Sequence, residues 1–342
     1  MHFGIFDHVE RRDPDLGSLY KDRLRLIARA DQCGYFCYHV AEHQGTPLCM
    51  APSPSLLLAA VASSTENIHF GPLCYLLPLY DPLRLVNEIC MLDQLGNGRL
   101  EVGISRGVSP IEMGFFGITP DEARKRFDEV LEIMEMGLTQ TQLSYDGTYY
   151  HYENVPLELG VVREPHPPIW YPTSGTRSVA WVAERGFQTV FLGAPDHVAE
   201  QVKLYHEHLR AGVKPEEQKV GVLRYVMVAE TDAEAMRAAA PAYEAHLANL
   251  RYLSRSRGRG TREEVPDTAG AREGSPAELA GAVQRGWAAV GSPATVSEQI
   301  AEMVEQTGCN YLVFNPLLAA TPIDRALAAV ELFAEQVMPS FT

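Results

Sequence analysis

Two short stretches of this chain carry the residue types that an anion site needs. Gly98-Arg99-Leu100-Glu101-Val102-Gly103-Ile104-Ser105-Arg106-Gly107 and Ser174-Gly175-Thr176-Arg177-Ser178 each go with an apolar run that reads as a buried strand. Each would therefore place small residues, hydroxyls and an arginine at a strand's C-terminal end. Arg106 offers a planar guanidinium fork for a phosphate, with Ser105 before it, and Gly107 lets the backbone approach a ligand closely. The alternative is an ion pair with one of the 44 Asp and Glu residues, such as Glu112. Ser174, Gly175, Thr176 and Ser178 precede or open a helix through Val179-Ala180-Trp181, where exposed N–H groups, hydroxyls and the helix dipole would form an anion nest. An ordinary cap needs only one of those hydroxyls. His43 follows Glu42 at the end of another strand-like run, and an imidazole can take up or release a proton at physiological pH. A structural histidine is the alternative there.

Such residues need a scaffold that brings strand ends together. Short apolar runs alternate with helical periodicity along the chain, which implies βα units around a parallel sheet. Strands are expected at 3–6, 35–41, 68–77, 100–105, 169–173, 189–192, 220–229 and 311–315, and helices at 19–33, 54–63, 82–95, 120–139, 177–185, 194–211, 233–250, 296–307 and 325–337. Ser53-Pro54, Asp81-Pro82 and Thr119-Pro120 are start signals, a cap residue before a proline that needs no N–H partner. Eight strands of this kind predict a (β/α)8 TIM barrel, in which the loops after the strands converge on one face and hold ligands. At 342 residues the chain fits one such barrel as a single domain, 1–342. Two segments interrupt the alternation, as insertions after strands four and seven. Leu143 to Tyr152 reads as a hairpin with an Asp146-Gly147 turn, and about 254–289, rich in Arg, Gly, Glu and Ala, shows no clear period.

Composition excludes several roles. With 46% apolar and 21% charged residues the chain is an ordinary globular protein, and a net charge of −15 disfavours nucleic acid and anionic lipid. One local exception is the cluster Arg251, Arg255, Arg257, Arg259 and Arg262. The six cysteines show no CxxC pair and read as reduced thiols of a cytoplasmic protein. Phe3-Gly4-Ile5-Phe6 opens the chain as a strand, with no leader pattern and no membrane-spanning run. His2, His166, His197, His206, His208 and His246 have no metal-compatible spacing, so no metal is expected. Asp7, His8, Glu10, Arg11 and Arg12 either line a pocket or form a polar loop. No Rossmann fingerprint is present.

An ordered set of motifs adds to this reading. Ala41-Glu42-His43-Gln44, then Ile68 through Pro78 with Leu73-Cys74 inside it, then Asp81-Pro82 to Leu95, lead into the Gly98 to Gly107 stretch. Together they resemble the bacterial luciferase-like, flavin-dependent monooxygenase family, from Phe3 to about Val190 and weakly again from Ser292 to Phe314. The resemblance implies a luciferase-like barrel in which Arg106 grips the FMN phosphate. His43 would then align with the first histidine of a Glu-His-His element that handles protons or stabilises the oxygenated flavin. Gln44 replaces the second histidine, and Ser174 stands where the prototype is acidic. Related barrels carry a cis bond where Leu73-Cys74 lies, a bulge supporting the flavin ring; a regular strand with Cys74 as core filler is the alternative. In the family the 254–289 region is a mobile segment near the site. The implied reaction is oxygenation of a small organic substrate, such as an aldehyde, ketone or aromatic, by reduced FMN and O2 through a C4a-peroxyflavin. Phe6, Leu73, Tyr75, Phe115, Phe116 and Trp170 would shield it or serve as core. A separate flavin reductase would supply the cofactor, and a homodimer would form through the helices around Leu56 to Val61 and Pro82 to Leu95. Rival readings are an F420-dependent oxidoreductase on the same barrel and a flavin-binding protein without turnover.

Overall fold

The computed structural model describes residues 1–11, 15–173, 175–255 and 276–341. Strands and helices alternate: β1 His2–Asp7, α1 Leu16–Gln32, β2 Cys37–Val40, α2 Pro54–Ser64, β3 His69–Pro72, β4 Tyr75–Leu76, α3 Pro82–Leu95, β5 Val102–Ser105, α4 Pro110–Phe115 and α5 Pro120–Thr139. There follow β6 Gln142–Asp146, β7 His151–Pro156, β8 Ile169–Trp170, α6 Thr176–Arg185, β9 Thr189–Phe191, α7 Pro195–Glu207, β10 Val220–Val228, α8 Asp232–Arg255, α9 Pro276–Gln284, β11 Ala288–Gly291, α10 Pro293–Thr307, β12 Tyr311–Asn315 and α11 Ile323–Gln336.

The parallel pairings close on themselves. β1 pairs with β2, and β2 with β3. A Phe70–Leu100 bridge joins β3 to β5, which pairs with β8, and bridges at Trp170–Gln188 and Thr173–Phe191 carry β8 to β9. β9 then pairs with β10, β10 with β12, and β12 returns to β1. These are the eight expected staves, and every pair is parallel, so all eight C-terminal ends open on one face.

The interior of the ring is filled. Phe6, Ala41, Leu73, Cys74, Trp170, Val190, Tyr311 and Val313 pack together inside it. The buried His39 Nε2 lies 2.8 Å from the Tyr311 hydroxyl, and burial takes the His39 pKa down to about 4. Glu101 accepts from Trp170 Nε1 at 2.6 Å and pairs with His69 and Arg163. Within the ring, a ligand therefore has room only above this layer. Two glycines let the staves come this close: a Cβ on Gly71 would meet the Glu101 carbonyl at 1.6 Å, and one on Gly103 the Pro72 carbonyl at 2.2 Å.

The structure corrects four expectations. The third strand, expected over 68–77, stops at Pro72 and resumes as β4, with the cis Leu73–Cys74 bond that the resemblance implied between them, and Leu77–Leu79 is a 3-10 turn, not strand. Helix α4 was not expected, although Ser109-Pro110 repeats the start signal seen at α2 and Ser109 caps it. Helix α7 ends at Glu207, short of 211, where His208 closes it. Within 254–289, residues 256–275 lie outside the described residues. Regular structure lies on both sides of them, where none was expected. α8 runs on to Arg255, Leu279 and Ala282 of α9 pack in one cluster with Ala238, Ala239 and Leu247 of α8, and β11 pairs with the far end of β10 from Tyr225 to Val228. Small alanines carry these contacts, which is why no period stood out. The hairpin appears as β6 and β7, with the Gly147 N–H donating to the Tyr150 carbonyl at 2.9 Å.

Candidate functional site

Arg106 follows β5, and Gly175, Thr176 and Ser178 follow β8, the stave paired directly with β5. Both loops therefore rise side by side on the open face. Gly107 is left-handed (φ +86) and donates its N–H to Ser105 Oγ at 3.2 Å, a tight turn that leaves Arg106 exposed. Glu112, the expected alternative partner, is engaged elsewhere, and the field of Arg106 falls on Asp128 of α5 and on Tyr171 just after β8. Helix α6 begins with Gly175 as its N-cap, a residue without a side chain to cap it. Thr173 Oγ1 instead accepts from the Gly175 N–H at 3.3 Å. Thr176 is exposed and Ser178 half-buried in the first turn of α6, and a Cβ on Gly175 would meet nothing within 4 Å. An exposed guanidinium and a helix start on neighbouring loops are donors that suit a doubly charged oxyanion. Ser174 lies outside the described residues.

His43 sits 18% exposed just past β2, its Nδ1 3.2 Å from Glu112 Oε1, while the Gln44 N–H donates to the same carboxylate oxygen at 2.6 Å. Because a carboxylate accepts, Nδ1 carries a proton and Nε2 is the atom left to exchange one. Ser109 to Glu112 has the spacing of a capping box, yet the Glu112 side chain turns away from its own helix toward His43. Glu42, buried beside it, accepts from the Leu76 N–H, the Tyr80 hydroxyl and Gln44 Nε2, and burial nevertheless pushes its carboxyl up to about 7.

Leu73 and Cys74 are buried at the break in the third stave, where the Leu73 N–H donates to the Val40 carbonyl at 2.7 Å. Burial holds the Cys74 thiol well above its ordinary range, so it is no nucleophile. Of the expected shield, Tyr75 and Trp170 are fully buried core, Phe6 and Leu73 form the floor, and Phe115 (57% exposed) and Phe116 (52%) stand out on α4 and its end.

The residues after β1, expected either to line a pocket or to form a polar loop, divide. Asp7 does not line the mouth; it is locked outward by Arg23 at 2.7 Å and the Tyr38 hydroxyl. His8 and Glu10 do reach it, with His246 of α8, Tyr225 of β10 and Asn315 of β12. Only the positions of His8 and Glu10 just past a strand hinted at this; His246 and Asn315 come from the far end of the sequence. Arg12, Arg257, Arg259 and Arg262 lie outside the described residues. No group of three or more His, Cys, Asp or Glu side chains among the described residues converges as a metal cage.

Comparison with known proteins fits this geometry. The family model for luciferase-like monooxygenases matches residues 1–311. The uncharacterized protein y4wF of Sinorhizobium fredii is 34% identical over 338 residues, 98% of this chain and 96% of its own. The oxygenase component of a flavin-dependent trigonelline monooxygenase from Acinetobacter baylyi is 25% identical over 248 residues, 70% of this chain and 68% of that protein. Among solved structures, the oxygenating constituent of 3,6-diketocamphane monooxygenase from Pseudomonas putida, in complex with FMN, superposes with a TM-score of 0.84 at 25% identity, covering 100% of this chain and 99% of that one.

Proposed function

The chain belongs to the luciferase-like monooxygenase family, and on that premise we propose that it is a flavin-dependent monooxygenase using reduced FMN and O2 to oxygenate a small organic substrate. The observation that carries this reading is the pairing of β5 with β8, which sets the exposed Arg106 and the start of α6 on neighbouring loops of one face. Its Ser105, Arg106, Gly175, Thr176 and Ser178 suit the single phosphate of FMN, whereas the rival F420 would bring a longer polyanionic tail. Bound reduced FMN would supply the electrons by which one oxygen atom of O2 enters the substrate and the other leaves as water.

The chain's own residues then have distinct tasks. Arg106 and the first turn of α6 hold the phosphate, and Leu73 and Cys74 with Phe6 beneath them offer an apolar floor for a ring system. His43, its Nδ1 pinned by Glu112, holds or delivers a proton at Nε2. Phe115 and Phe116 at the rim would exclude water once a ligand is seated, which suppresses release of hydrogen peroxide. A separate flavin reductase would deliver the reduced cofactor.

Since β1 pairs with β12, both ends of the chain close one barrel, and we take it as one domain. Leu56 on α2 and Met91 and Leu95 on α3 are exposed on adjacent helices and would bury against a second copy. No helix among the described residues is long and apolar enough to cross a membrane, and the six free thiols suit a reducing cytoplasm. The test supplies purified protein with reduced FMN and a panel of ketones, aldehydes and aromatics. O2 uptake in step with substrate oxidation supports the reading; binding of F420 with no affinity for FMN overturns it.

A further inference from the structure

The rim opposite the anion nest is built around a residue with no task so far. β1 lies four staves from β8 in the ring of eight, so the residues after β1 face the nest across the mouth. Three imidazoles stand there in a row. His43 and His8 are nearly parallel, with centroids 5.9 Å apart and planes at 15°, and His8 lies 5.2 Å from His246. The outer two are tied to carboxylates, His43 to Glu112 at 3.2 Å and His246 Nδ1 to Glu10 at 2.9 Å, and the Tyr225 hydroxyl meets His246 Nε2 at 3.1 Å.

The middle ring is held differently. His8 Nδ1 lies 3.3 Å from Asn315 Nδ2, and a second contact fixes which end of that amide this is. Asn315 Oδ1 accepts the Leu317 N–H at 2.8 Å, so Nδ2 must be the end that faces His8, and it donates. Nδ1 of His8 therefore accepts, and the proton of the neutral ring sits on Nε2. Among the described residues nothing takes up that Nε2–H, and Phe6 packs edge-on against the ring at 4.7 Å. Burial, then the neighbouring His246 and His43, hold the His8 pKa well below the ordinary imidazole value, which keeps the ring neutral.

The backbone gives independent support. Four non-glycine residues among those described have positive φ, and two are asparagines, which tolerate it. The other two are Val9 (φ 53), directly after His8, and Leu317 (φ 55), whose N–H orients Asn315. Left-handed apolar residues persist only where their surroundings over-determine them, and they cluster at ligand clamps.

We propose that His8 is a substrate-binding residue whose Nε2–H, held in one tautomer by Asn315, donates a hydrogen bond to a neutral acceptor oxygen, such as a carbonyl, on the organic substrate. His43 beside it carries the exchangeable proton. The substrate half of this assignment rests on the monooxygenase reading; the tautomer half does not.

The test is a two-bond 1H–15N correlation spectrum of histidine-labelled, FMN-free protein, with His8 assigned through His8→Phe. The expected pattern for His8 is neutral with the proton on Nε2. Asn315→Asp, whose carboxylate only accepts, should place a proton on Nδ1. Added cyclohexanone should shift the His8 Nε2–H signal and cyclohexane should not. Followed through the His43 signals, ketone binding should weaken about threefold to tenfold in His8→Phe and recover in His8→Gln, whose amide nitrogen reaches the place of Nε2. A proton on Nδ1 in the parent, equal shifts with both probes, or equal ketone affinity in His8→Phe overturns the assignment. An FMN titration separates the two readings. Protein that shows the tautomer and the ketone shift but binds no FMN refutes the flavin reading alone. Protein that binds FMN with His8 in the other tautomer refutes only the role of His8.

Discussion

Glu42 shows how a single buried group should make stability depend on pH. Its carboxyl ionises near 4.5 when unfolded and near 7 in the fold, so the native state keeps a proton that the unfolded chain releases. The associated stability is present in full below about 4.5 and is lost as pH rises through about 7, by up to about 3 kcal/mol. Glu42→Gln should flatten that part of the profile, measured as urea midpoints of parent and variant between pH 4 and 8; parallel profiles would contradict it. At this scale the sequence was legible for the placement of candidate residues that lie within a few positions of a strand end. Arg106 with Gly107, and His43 after Glu42, needed only a strand and its direction. His8 was placed in the right loop without a partner, because its partner Asn315 is 307 residues away. Glu112 was weighed as a mate for Arg106, but its side chain leaves the capping-box spacing to reach His43 across a loop, and no local pattern encodes that turn.

Elements were legible where the apolar period was strong. The eight staves read as buried runs because parallel strands covered on both faces are apolar throughout. The third stave read as one run because its two halves are equally apolar, so only the resemblance pointed to a break at Leu73-Cys74, and α9 and β11 went unread because alanines supply their buried faces. Gly71 carries the most direct test at this scale. An added methyl would meet the Glu101 carbonyl at 1.6 Å, so Gly71→Ala must push β3 from β5. The expected loss is about 3 kcal/mol, read as a lowered Tm with diminished FMN affinity. A Tm within error of the parent would mean the staves are not in such contact.

For the whole molecule, the barrel brings together at one mouth residues that the chain spreads from His8 to Asn315. The same closure turns the apolar inner faces of α2 and α3 toward the staves and leaves Leu56, Met91 and Leu95 outside. Leu56→Glu should convert a dimer to a monomer in light scattering while the Tm changes little; a parent that is already monomeric would remove this interface. The central claim is that the loops after β5 and β8 together grip a phosphate, and it needs only two ligands. FMN and riboflavin differ by that group alone, so their dissociation constants, measured for the parent and for Arg106→Ala, isolate the grip. The parent should prefer FMN by about 100-fold, and the variant should lose a factor of about 10 to 100 of that preference while binding riboflavin as before. Equal affinities for the two flavins in the parent, or an undiminished preference in Arg106→Ala, would contradict the account.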